Sequence, residues 1–520
     1  MSNAIGKERI ALNKFLGAET SQLLLEGDIV VPDIKPDISR VVRADASAVI
    51  SRVEAQGDRA AYWGRLDIRM LYFDSQNAVH NLNISSPIED FINVEGASKD
   101  SWVSLSVDIE NFDHWIVNDR KMGYRAVVEL LAVAMDGGHI EAVNSIEDLP
   151  VSQLKWVNLT SQRIVDKRLE QFAVKDEITL PPNKPNIREI LQYTASISNK
   201  EIRLSTGRVG ISGDLAVSVL YRGDSDNLIE FEEFSLPFNG AIDMAQARDN
   251  LLADVNLAIT DVALRPRPDE DGEDRVITLD VSVAADIGLS IVENMEILDD
   301  AYCLDQQLNI TKQNVSFSRL ISRNRTQVNF KEIVQADEDA PKILQILKAD
   351  GRARIDDKRL IDDKVIVEGI ITADILYVAE DDDSPLYNRQ AHLPFRQVIE
   401  TRGAAMDMDC AIELSIDHAG FNLLGNNEVE LRFLLSFLTT VQQPITAHLI
   451  TDIAFEELSR EAIDAMPGMA IVSVQKDDSL WSIAKRYNAR LEELMQINDI
   501  DDPEGLQVGA KLLVVKTVSE

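Results

Sequence analysis

The chain has 520 residues, 45% of them apolar and 27% charged, a balance that implies several folded domains and excludes a disordered polymer. Lys and Arg number 52 against 88 Asp and Glu; the formal charge of -36 opposes a phosphate backbone or an anionic lipid surface, so no nucleic acid and no membrane is expected as partner. Only Cys303 and Cys410 occur, too few to staple several domains, which points to a reducing compartment, and no run of about 18 apolar residues offers a membrane span.

Residues 1–22 read as an N-terminal extension without the apolar core of a signal peptide. A first β unit is expected over 23–148. It holds KPDISRVVRADA (35–46), where Ile38, Val41 and Val42 follow Pro36 at a spacing that predicts a short helix whose first turn tolerates proline. In WGRLDIRMLYFD (63–74), Leu66, Ile68, Met70 and Tyr72 alternate with Arg65, Asp67, Arg69 and Leu71 at the period of a half-buried strand. VSLSVDIENF (103–112) and RAVVELLAVAM (125–135) keep that period.

The same order then recurs twice. The second unit, 165–297, carries KPNIREILQYTA (184–195) with Pro185, Ile187, Ile190 and Leu191, then SGDLAVSVLYRGD (212–224), ADVNLAITDVAL (253–264) and RVITLDVSVAADI (275–287). The third, 323–455, carries APKILQILKADG (340–351) with Pro341, Ile343, Ile346 and Leu347, then EGIITADILYVAED (368–381), AIELSIDHAGF (411–421) and NEVELRFLLSFL (427–438). A glycine (Gly64, Gly213, Gly369) precedes a Leu-Tyr pair in each copy, and the proline lies 36 residues before that tyrosine in all three. The expected fold class is mainly β: three repeated antiparallel β domains, each with a short helix, followed by a smaller C-terminal βααβ unit.

Catalytic and metal-binding markers are missing from the pattern. His80, His114, His139, His392, His418 and His448 show no metal-ligand spacing, no phosphate-cradling loop occurs, and GISGD at Gly210 lacks the second half of a nucleophile elbow. Asp269, Asp271 and Gly272 suggest a calcium loop but lack the bidentate Glu and flanking helices, which leaves a charged hairpin turn as the better reading. Other carboxylates cluster in loop-like runs, Asp356, Asp357, Asp362, Asp363 and Asp381, Asp382, Asp383. What the copies share is what a fold needs, so the expected protein is no enzyme, with no cofactor and no metal.

A linker is expected at 456–468, with a polar helix candidate FEELSREAIDAM (455–466) and a break at Pro467 and Gly468. Residues 469–516 then change period. Leu480, Ile483, Ala484 and Tyr487 form one helical stripe, Leu491, Leu494 and Met495 begin a second, and Asp478 or Ser479 supplies the first N-cap.

This segment resembles a LysM domain: DDSLWSIAKRY, then Leu491, Leu494, Asn498 and Ile500, then Pro503, Leu506, Gly509, Leu512 and Val514, with departures at Asp477 (commonly Gly) and Val472 (commonly Tyr). The resemblance implies a glycan groove at Asp478, Ser479, Leu480 and Trp481 facing Asn498, Asp499, Ile500 and Asp501. For Trp481 two roles stand open, cover for a small core or contact with a ligand. A single module of this kind is expected to bind glycan weakly, since avidity comes from linked copies.

Together the three repeats and the tail are similar to the SipL-type SPOCS and LysM proteins of endospore-forming clostridia. That resemblance implies a non-catalytic structural adaptor of spore coat assembly. It would work in the mother-cell cytoplasm, be recruited to the forespore surface, and engage the sporulation morphogenetic ATPase and other coat proteins. The alternative it leaves is binding of peptidoglycan or another N-acetylglucosamine-containing glycan in the spore envelope.

Overall fold

The computed structural model describes residues 5–99, 101–146, 152–224, 228–304, 306–335, 341–381, 385–425, 427–457, 467–502 and 506–515. The first repeat contains β1 (Ile5–Val30), β2 (Arg40–Ala55), β3 (Arg59–Phe73), β4 (Val79–Asn93), β5 (Trp102–Asn118) and β6 (Lys121–Ile146). The second contains β7 (Ser152–Thr179), β8 (Ile187–Ser205), β9 (Arg208–Gly223), β10 (Ile229–Asp243), β11 (Leu252–Pro268) and β12 (Asp274–Cys303). The third contains β13 (Gln306–Gln335), β14 (Ile343–Ile361), β15 (Lys364–Ala379), β16 (Leu386–Glu400), β17 (Asp409–Leu423) and β18 (Glu428–Glu457).

Each repeat is a sandwich of two three-stranded antiparallel sheets, ordered β1-β6-β5 and β2-β3-β4 in the first, with the same order in the other two. One apolar core fills each sandwich. In repeat 1, Leu66, Ile68, Met70 and Tyr72 of β3 face Ala126, Val128, Leu130 and Ala132 of β6 across it, as alternation on a half-buried strand requires.

The short helix expected at each proline segment is not formed. Pro36 and Ile38 follow a turn and lead into strand β2, which takes in Val41 and Val42; in repeats 2 and 3 the strands β8 and β14 already begin at Ile187 and Ile343. Among the described residues, helices occur only in the C-terminal module. A β-bulge produced the helical spacing. At Val42, Leu191 and Leu347 one extra residue interrupts the ladder, so adjacent apolar side chains serve different cores. Val41, Ile190 and Ile346 pack within their own sandwich, while Val42, Leu191 and Leu347 pack between repeats.

The fixed proline-to-tyrosine distance also has a physical cause. The buried Tyr72 hydroxyl donates to the Pro36 carbonyl at 3.0 Å, and Tyr221 donates to Pro185 at 3.3 Å, tying turn to strand. Burial pushes both phenols up to about 12, so each remains a donor. Gly64, Gly213 and Gly369 sit opposite a second bulge, where a Cβ would strike the carbonyl of Val49, Ser198 or Arg354.

The repeats close on one another around a quasi-threefold centre. Leu71, Leu220 and Leu376, the leucines of the Leu-Tyr pairs, meet there in one cluster with Leu191 and Leu347. Beside them runs a ring of polar contacts built from equivalent positions. Arg43 pairs with Asp350 at 2.9 Å, Lys348 donates to Thr194 at 3.1 Å, and Gln192 donates to Asp45 at 3.2 Å. Each repeat donates to one neighbour and accepts from the other. Burial opposes the charge on Asp350, but Lys348 and Arg43 outweigh it and hold its carboxyl below the ordinary range.

The residues outside the expected repeat bounds are largely strand. Instead of a separate extension over 1–22, residues from Ile5 onward belong to β1 and pair with β6. Likewise β7 begins at Ser152 and β13 at Gln306, each running antiparallel to β12 or β18. The result is three two-stranded ribbons that extend past β5, β11 and β17. Their inward side chains meet in two shared layers, Ala142 with Ile297, Phe317 and Leu449, then Val143 with Leu298 and Ile450. Of the expected linker, 458–466 lie outside the described residues.

Candidate functional site

The C-terminal module comprises β19 (Met469–Ser473), α1 (Leu480–Arg486), α2 (Leu491–Ile497) and β20 (Lys511–Val515), with β19 antiparallel to β20. Ser479 caps α1 in a reciprocal box: its hydroxyl accepts from the Ser482 amide at 3.1 Å, and its own amide donates to the Ser482 hydroxyl at 2.9 Å. Leu480, Ile483 and Ala484 fill the module's core, and Lys485 and Arg486 stand at the helix C-terminus, where cations are favoured. Asp478 accepts the Gln475 amide at 2.9 Å and pairs with Arg486 at 2.7 Å, and these contacts hold its carboxyl below the ordinary range.

On the other side of the expected groove, Asn498 works as a staple. Its amide donates to the Leu494 and Leu513 carbonyls, both at 2.8 Å, and its oxygen accepts the Leu513 amide at 2.7 Å, fixing the end of α2 to β20. Asp499 takes a left-handed backbone at φ 51, which Asp tolerates better than most residues. Asp499 and Asp501 are exposed, whereas Leu480 and Ile500 contribute to the same core. Of the eight expected groove residues, then, Leu480, Ile500 and Asn498 are tied into the fold, and Asp499 and Asp501 face solvent.

Trp481 is half-buried against repeat 2. Its indole N–H donates to Asp300 at 2.8 Å, and its ring meets Tyr302 edge-on with centroids 5.0 Å apart. Lys485 holds the other Asp300 oxygen at 2.6 Å. Burial works against the charge of Asp300, but Lys485 and the indole N–H prevail and keep the carboxyl below its ordinary value. Tyr302 donates to the Ala489 carbonyl at 2.7 Å, Asn488 donates to the Leu304 carbonyl at 2.6 Å, and Tyr302 and Leu304 are buried in the module's own core. The tip of the β7–β12 ribbon is therefore the seat of the module.

Sequence reasoning assigned no role to Asp300, Tyr302 or Leu304. A signal existed in the repeats: counting outward from the layer of Leu298 and Ile450, Tyr302 corresponds to Ala454 and Leu304 to Glu456. Asp300 corresponds to Asp452, which is paired with Lys7 at 3.0 Å. Repeat 3 lacks the aromatic and apolar pair that fits the module.

Elsewhere, Asp269 accepts the amides of Asp271 and Glu273 at 2.9 and 3.0 Å, which makes that acidic segment a self-capped hairpin turn. Among the described residues no cluster of three or more His, Cys, Asp or Glu side chains is arranged for a metal ion, and no helix is long and apolar enough to cross a membrane.

A family model described as SipL, SPOCS domain matches residues 37–117, 186–265 and 342–424, and a LysM domain model matches 472–515. The chain belongs to the SipL-type SPOCS proteins with a C-terminal LysM domain. No curated protein and no solved structure matches it. SPOCS repeats and a LysM domain make it a sporulation coat-associated protein with a module of glycan-binding type. Both domain families are non-catalytic. Each SPOCS match covers β2 to β5 or its equivalents, so the long ribbon strands lie outside the matched segments. The LysM match begins and ends within the β19–β20 pair.

Proposed function

We propose that the protein is a structural adaptor of the endospore coat. Its SPOCS body gathers coat components, and its LysM surface engages the morphogenetic ATPase of the forespore surface from the mother-cell cytoplasm. The observation that carries this reading is the seating of the LysM domain on repeat 2 through Trp481, Asp300 and Tyr302. A module fixed on a large non-catalytic body presents its remaining exposed face, with Asp499 and Asp501, in one defined orientation. Replacing Asp499 and Asp501 by Asn in the full chain should abolish capture of the purified ATPase; unchanged capture would overturn the reading.

A second reading, binding of an N-acetylglucosamine-containing glycan, is favoured by the LysM match itself. Co-sedimentation with purified sacculi tests it. A glycan binder pellets with them and loses this in Trp481→Ala, whereas an adaptor alone stays in the supernatant.

A further inference from the structure

We propose that the ribbon tip of repeat 2 is a built-in competitor for the LysM ligand surface, so that any ligand using Trp481 binds only after the tip withdraws. This rests on the reading that Trp481 belongs to that surface. The tip meets the requirements for a competitor. Asp300 takes the indole N–H at 2.8 Å and the Lys485 ammonium at 2.6 Å, the two polar donors that α1 turns toward repeat 2. Tyr302 covers the indole edge-on at 5.0 Å and takes up the Ala489 carbonyl at 2.7 Å. Gln153, on the partner strand of the same ribbon, accepts the Leu491 amide at 3.4 Å. A sugar or a peptide approaching Trp481 would need the same groups.

The comparison among repeats argues that the contact is specifically built. The three ribbons share their inner layers, yet the Tyr and Leu that enter the LysM core occur at the repeat 2 tip, where repeat 3 has Ala454 and Glu456. Asp452, the counterpart of Asp300, is engaged by Lys7. Meanwhile the contact leaves Asp499 and Asp501 uncovered, so a ligand can form an encounter on the open half of the LysM surface before the tip is displaced.

The test uses the full chain labelled with 5-fluorotryptophan, with a tetramer of N-acetylglucosamine as the probe. Of the five tryptophans, the Trp481 resonance is assigned with Trp481→Phe, and the other four report that the SPOCS body remains folded. Asp300→Lys opposes Lys485 with a like charge and should move the Trp481 resonance toward that of a solvent-exposed indole. Where the seated form holds nine-tenths of the molecules, the variant should bind the tetramer about tenfold more tightly than wild type. Trp481→Ala should remove binding in both backgrounds. Equal, measurable affinity in wild type and Asp300→Lys would overturn the competitor and leave the glycan reading standing. A freed Trp481 with no binding in either protein would overturn both. An unmoved Trp481 resonance in Asp300→Lys and in Tyr302→Ala would overturn the competitor, because the tip would then not govern exposure of the indole.

Discussion

The centre of the SPOCS body and the tips of its ribbons start from the same threefold plan and end differently. At the centre, Arg43, Gln192 and Lys348 differ in chemistry, yet each finds an acceptor on the next repeat, Asp350, Asp45 and Thr194. At the tips, Tyr302 and Leu304 of repeat 2 stand at the positions where repeat 3 has Ala454 and Glu456. Substitutions at the centre are compensated because unpaired buried groups are costly there. At the solvent-facing tips a substitution carries no such penalty, and one tip has become a seat for a second domain.

The largest effect expected is at the centre. Asp350 receives both Arg43 and Lys348, at 2.9 and 3.0 Å, so Asp350→Ala removes the carboxylate shared by two buried cations, leaving Arg43 with Asp45 at 3.3 Å and Lys348 with Thr194 at 3.1 Å, and should cost about 3–5 kcal/mol in denaturant unfolding. Loss of less than about 1 kcal/mol would show that the ring does not hold the repeats together. A smaller cost, about 1–3 kcal/mol, is expected for Gly369→Ala, whose methyl would meet the Arg354 carbonyl opposite the bulge. Full stability in this variant would mean that the bulge is not rigid.

At the tip, Tyr302→Phe removes the bond to Ala489 and should loosen the LysM domain by about 1 kcal/mol in hydrogen exchange of α1, without moving the unfolding midpoint of the SPOCS body. A change in the body and not in α1 would reverse the assignment. The least effect near neutrality comes from pH. Asp300 titrates below its ordinary value of 3.8 when seated, so its contribution is complete above that value and is lost as pH falls below it. Acidification through that range should shift the fluorine resonance of Trp481, and Asp300→Asn should remove that pH dependence.

The repeat units and the LysM domain were legible in the sequence because strand alternation, the Leu-Tyr pair and the capped helix of the tail each have one structural solution. The helix expected after Pro36 was a misreading with a definite cause: a bulge at Val42 places adjacent apolar residues in two cores, and that spacing imitates a helical face. The ribbons are not legible in the sequence because most of β1 and the first part of β7 lie outside the repeated motifs, and their pairing with β6 and β12 joins segments far apart in the chain. For Trp481 the sequence left cover and contact both open. Its partner Asp300 is 181 residues away, and no local pattern carries that contact.

The seat itself can be tested by a double-mutant cycle between Asp300→Ala and Trp481→Phe, read from hydrogen exchange of the α1 amides in the full chain. The hydrogen bond of 2.8 Å between these side chains predicts a coupling of about 0.5–3 kcal/mol, with the double variant less destabilised than the sum of the two single ones. Strictly additive effects would contradict the account, because the LysM domain would then not be held by the tip of repeat 2.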